Sequence, residues 1–122
     1  MMNWLLIGLG GALGAIGRYG VSTVMKPASV DAFPKHTLIA NLVGCLLIGV
    51  MFRIPLKGNE WVWQLLVIGL LGGFTTFSSF GLESFQLIKA GKTGIAVTYI
   101  LASTLGGLLC VLLGYGLAKN LQ

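Results

Sequence analysis

Charge is scarce in this chain. Of its 122 residues 9% are Asp, Glu, Lys or Arg, and only three of them are acidic. A soluble domain carries about 25% charged residues, so too few are present to cover a water-facing surface. Two cysteines exclude a disulfide scaffold. Cys45 and Cys110 each lie inside an apolar run and read as buried packing thiols. No low-complexity linker appears, and the length allows one domain. The basic residues are scattered, without the cluster that would track nucleic-acid phosphates. Contact with anionic lipid heads is the simpler use for them.

What the chain has instead is apolar length. Hydrophobic residues make up 56%, which excludes disorder. Four stretches, at about residues 4–25, 37–53, 61–88 and 94–118, approach the ~20 residues that cross a ~30 Å hydrocarbon layer. Residues 1–15 could pass for a signal-peptide core. They lack a basic leading region and the apolar run continues past them, so they are read as part of a retained first span. Pro27, Pro34 and Pro55 fall at or between span ends, where a missing N–H costs little. Trp4, Trp61 and Trp63 lie where an aromatic belt belongs.

The loops give little orientation. One side carries Arg53, Lys57 and Lys119. The other carries Lys26, Lys35, Lys89 and Lys92, with Arg18 inside the first span. The positive-inside rule needs a clear excess; this near balance predicts insertion in both directions. Gly10 and Gly14, Ala40 and Gly44, Gly69 and Gly73, and Ser103 and Gly107 are small-residue pairs four apart, which let helix backbones approach closely. Four short helices enclose little space, so a homo-oligomer is expected, and weak orientation bias favours an antiparallel pair.

The third span contains Gly72-Gly73-Phe74-Thr75-Thr76-Phe77-Ser78-Ser79-Phe80. Two glycines and four hydroxyls are poor filler for a lipid-facing helix and predict a break. A break frees N–H and C=O groups that lipid cannot satisfy, and half-helix ends then become ion sites. Phe77 and Phe80 share a helix face, and aromatic rings carry a positive edge that suits an anion. Asn41 offers two N–H donors. Tyr99 and Ser103 put two hydroxyls on one stripe of span four, continued by the bare Gly107. Arg18 is costly at a span centre and therefore a functional candidate. Glu83 is read as structural, bonded to freed backbone near the break or to a cation.

The run 72–80 followed by Glu83 closely resembles the signature of the Fluc fluoride channels, also called CrcB proteins. Gly11, Gly14, Arg18 and Tyr19 fit that family's first helix; Thr37, Leu38, Asn41 and Gly44 fit its second. The resemblance implies an all-α membrane protein with four transmembrane helices and a broken third helix. It also implies an antiparallel, dual-topology homodimer in the cell (inner) membrane, with two pores that passively export fluoride. By the same resemblance, Phe77 and Phe80 line the pores and Asn41 is the pore amide. Thr76, Ser79, Tyr99 and Ser103 form a polar track, and Arg18 faces a vestibule. A structural sodium is expected on backbone carbonyls of Gly72 and Thr75 from both chains. Two positions depart from the family's usual pattern. Ser79 stands where a threonine is frequent, keeping the hydroxyl, and Gly107 stands where a serine is common.

Rival functions fit less well. A small multidrug exporter would carry a membrane-embedded Glu on its first helix, where this chain has Arg18 and no acid. A non-transporting interaction subunit leaves the Thr/Ser/Phe segment without a purpose. An enzyme needs a nucleophile–base set or a metal-ligand cluster, and the sequence shows neither.

Overall fold

The computed structural model describes residues 2–56 and 58–121. Four stretches are long and apolar enough to cross a membrane: Met2–Val24, Lys35–Arg53, Glu60–Lys89 and Thr93–Leu121. The first two are continuous helices, α1 (Met2–Val24) and α2 (Lys35–Arg53). The third crossing is composite. It begins as α3 (Glu60–Val62), becomes a π-helix over Trp63–Leu71, and closes with α4 (Gly72–Phe74). Thr75 (φ −85°, ψ 157°) and Thr76 (φ −151°, ψ 127°) are extended, and α5 (Phe77–Lys89) restarts the helix. The fourth crossing is α6 (Thr93–Leu117), finished by a 3₁₀ turn over Ala118–Leu121.

Helices in lipid gain little by hiding apolar side chains from one another, so close packing must hold them. Here α1 lies along the π-helical stretch and α4, while α2 lies along α6. A Cβ at Gly10 would overlap the Leu65 carbonyl, and one at Gly14 the Leu70 carbonyl. In the other pair, a Cβ at Gly49 would overlap the Val111 carbonyl, and one at Gly114 the Leu46 carbonyl. At the α2–α6 end, the Arg53 guanidinium sits 4.5 Å from the Tyr115 ring centroid and Nη1 donates to the Tyr115 carbonyl at 3.3 Å.

The fully buried centre is small. Leu87, Ala96 and Tyr99 have no exposed surface, and Phe33, Leu38 and Phe80 pack against them. Outward-facing leucines such as Leu9, Leu13, Leu105 and Leu112 are more than half exposed, as a lipid-facing surface requires.

Candidate functional site

The extended pair Thr75–Thr76 removes the regular i→i+4 bonding from a stretch of backbone at membrane depth, and neighbouring side chains take over. Asn41, nearly two turns into α2, grips the Thr76 peptide from both sides. Its Oδ1 accepts from the Thr76 N–H at 2.8 Å, and its Nδ2 donates to the Thr76 carbonyl at 3.0 Å. Arg18 reaches from α1 and donates Nε–H to the Gly73 carbonyl at 3.2 Å. Thr76 caps α5, its Oγ1 accepting from the Ser79 N–H at 3.2 Å. Thr75 Oγ1 donates back to the Leu71 carbonyl at 2.9 Å.

These substitutions have a consequence for carbonyls. The donor that would pair with the Gly72 carbonyl in a helix is the Thr76 N–H, now on Asn41. The donor for the Thr75 carbonyl is the Ser79 N–H, now on Thr76 Oγ1. Both oxygens are thereby relieved of their helical partners. Glu83 accepts no bond from the loosened backbone among the described residues. Its Oε1 accepts from Thr37 Oγ1 and its Oε2 from the Tyr99 hydroxyl, each at 2.7 Å. His36 Nε2 lies 3.2 Å from Oε1.

Beside the interruption is a cavity of about 480 Å³, lined among others by Asn41, Cys45, Thr75, Thr76, Phe77, Phe80 and Ser103. The rings of Phe77 and Phe80 stand 5.5 Å apart at 39°. Phe80 continues to Tyr99 at 5.3 Å, and Tyr99 meets Phe33 edge-on at 5.7 Å. Phe77 is 83% exposed in the single chain. Ser103 Oγ is buried with no hydrogen-bond partner among the described residues, a hydroxyl left over on a cavity wall. A second, more polar crevice of about 380 Å³ opens on the other side of Thr76, with Arg18, His36, Ser79 and Glu83 on its walls.

The structure therefore gathers Asn41, Thr76, Phe77, Phe80 and Ser103 on one cavity, and Arg18, Thr76 and Ser79 on the crevice. Tyr99 is fully buried with its hydroxyl committed to Glu83, and Gly107 is buried against Cys45, whose Sγ is 3.4 Å from where a Cβ would stand. Sequence reasoning missed the partners of Glu83. His36 and Thr37 precede it by 47 and 46 positions, and no local pattern joins them.

An all-helical chain crossing the membrane four times, with polar side chains gathered around a gap in its third crossing, has the architecture of a small multi-pass transport protein. Residues 5–115 match the family model described as CrcB-like protein, Camphor Resistance (CrcB), and the chain belongs to that family. It is 45% identical over 122 residues to a protein of Chloroflexus aurantiacus named fluoride-specific ion channel FluC, covering 98% of this chain and 97% of that one. Proteins of the same name from Coxiella burnetii and Thermus thermophilus are 48% and 40% identical. Those matches run over 106 and 123 residues, covering 84% and 99% of this chain and 86% and 98% of theirs.

Proposed function

We propose that this chain is a fluoride-selective channel that exports the anion passively and lowers its cytoplasmic concentration, working as an antiparallel, dual-topology homodimer. The observation that carries the reading is the cavity at Thr75–Thr76. There the rings of Phe77 and Phe80, the free hydroxyl of Ser103 and the amide of Asn41 meet, in a chain whose relatives are named fluoride-specific channels. Fluoride is small and strongly hydrated, so a pore must replace its water with donors. Asn41 spends one of its two N–H groups on Thr76, which leaves the other for the cavity. Thr76, Ser79 and Ser103 supply hydroxyls, and the phenylalanines supply ring edges. Several weak sites in series let an ion both arrive and leave.

The near balance of loop charge and the exposure of Phe77 in one chain support a second copy in the opposite orientation. Across the membrane, a negative-inside potential favours anion exit by ~2.3 kcal/mol per 100 mV, so no fuel is required. Arg18, with Nε held on the Gly73 carbonyl, keeps its remaining N–H donors in the crevice and makes it attractive to anions. The Gly72 and Thr75 carbonyls, relieved of their helical donors, suit a sodium ion, since loosened backbone oxygens are apt ligands for it. These two residues would hold it, and the charge supplied there would fix the carbonyl ends of two facing crossings.

The test is anion efflux from liposomes containing the purified protein, with an ionophore clamping the potential. Fluoride should leave fast and chloride at the protein-free rate; equal rates overturn the proposal. Phe80→Ile should slow fluoride strongly while the dimer persists on size-exclusion, and undiminished flux removes that ring from the pathway.

A further inference from the structure

His36 lies on the wall of the polar crevice, with its Nε2 3.2 Å from Glu83 Oε1. The charged and titratable groups around it come from four helices. Arg18 and Tyr19 face the crevice from α1 and Glu83 from α5. Tyr99 on α6 reaches Glu83 through its hydroxyl. Lys35, the neighbour of His36 on α2, is exposed, and Lys92 is held by Asp31 at 2.8 Å.

With the imidazole neutral, Arg18 and an ionised Glu83 cancel. One added proton makes the crevice net positive. Histidine is the one side chain whose ordinary charge change falls between about pH 5 and 8. The other ring nitrogen of His36, Nδ1, has no hydrogen-bond partner among the described residues. The crevice shares Thr76 with the phenylalanine cavity, so a charge there acts on an anion about to pass the interruption.

We infer that His36 is a further pathway residue, a proton-responsive charge that raises fluoride occupancy at the mouth of the route as pH falls. The inference rests on the fluoride-channel reading and adds a residue to it. It also has a chemical logic: in acidic surroundings HF crosses lipid as a neutral molecule and ionises inside, so exit accelerates when influx is greatest.

Fluoride efflux from liposomes, measured between about pH 5 and 8 with the same pH on both sides, tests it. Protein-free vesicles report the leak of HF, which is subtracted. A unit charge at contact distance through water changes anion occupancy about fivefold, so the rate should rise by roughly that factor toward low pH. His36→Gln should give a flat profile whatever its absolute rate. His36→Lys should be flat too, and faster than His36→Gln at the alkaline end. A flat wild-type profile overturns the inference and leaves the channel reading standing; so does a slope that persists in His36→Gln. Failure of fluoride to leave at any pH overturns the channel reading itself. Titration of the ring by NMR in the folded protein is a separate check, and a ring that does not titrate in this window also overturns the inference.

Discussion

Before Thr75, the third crossing touches α1 chiefly through backbone, the Arg18 bond to the Gly73 carbonyl apart. Gly69 and Gly73 face Ile7, Gly10 and Gly11 of α1, and a Cβ at Gly69 would come within 2.8 Å of the Ile7 carbonyl. Among the described residues no side-chain hydrogen bond joins α1 to Trp63–Leu71. Beyond Thr75 the rule changes. Thr37 and Tyr99 bond to Glu83, and Asn41 bonds to Thr76. The difference follows from the medium. A regular helix satisfies its own backbone, so only close approach is left to hold it in lipid. An interrupted helix cannot, and every freed group needs a partner from elsewhere in the protein. The half that lines the polar crevice, through Thr76, Ser79 and Glu83, is the half wired by side chains.

The largest effect should come from breaking the backbone contact. In Gly14→Ala the new Cβ would overlap the Leu70 carbonyl and lie 2.7 Å from the Phe74 amide nitrogen. Backbone cannot rotate aside as a side chain can, so the cost should reach the upper end of the ~1–3 kcal/mol typical of overpacking. Gly20 lies on the same helix with nothing within 4 Å of its would-be Cβ. Gly20→Ala should instead stabilise by up to ~1 kcal/mol through helix propensity. Unfolding of the two variants in denaturing detergent compares them. Equal stabilities would mean that α1 and the π-helical stretch are not in the close contact described.

A smaller, more local effect should follow from cutting the wiring. Asn41→Leu removes both bonds to Thr76 and strands a backbone N–H away from water, at about 1–3 kcal/mol. Amide exchange should quicken at Thr76 and Phe77 and stay slow in α1. Asn41→Asp keeps the acceptor for the Thr76 N–H and loses the donor for its carbonyl, so it should fall between. Unchanged exchange at Thr76 in Asn41→Leu would show that the extended pair holds its shape without α2.

How much of this could be read beforehand depended on which physics left a trace in the chain. The four crossings were legible because length and apolarity alone define a span. The segment 72–80 stood out because paired glycines and hydroxyls have no place on a lipid-facing helix. The π-helical register of Trp63–Leu71 left no trace, since its near-uniform apolar composition offers no face whose period could be measured. Gly49 and Gly114 were missed as packing residues because each is paired, four positions earlier, with a cysteine rather than a glycine, alanine or serine. Counting thiols as small residues would have found both. Glu83 was expected to bond to freed backbone or to a cation, whereas the hydrogen bonds it accepts come from Thr37 and Tyr99 on two other helices, which only the packing of those helices brings together.

The smallest effect lies where side-chain wiring leaves the lipid. Asp31, between α1 and α2, accepts from Lys92 Nζ at 2.8 Å on Oδ2 and from Ser29 Oγ at 2.6 Å on Oδ1. The Lys92 bond, then the Ser29 hydroxyl, hold its pKa down at about 2, against an ordinary 3.8. A carboxyl lowered in the folded state stabilises fully above its unfolded value and loses that contribution as pH falls through the folded one. Acidification from neutrality to about pH 4 should therefore leave the Asp31–Lys92 tie intact, and it should open only as pH approaches 2. The pair faces water, so salt should weaken it, and Asp31→Asn should scarcely move global unfolding. An NMR titration of the Asp31 carboxyl carbon decides the matter. A midpoint near the ordinary value would mean the tie is absent in solution, and that the contrast between backbone-held and side-chain-held regions stops at the edge of the membrane.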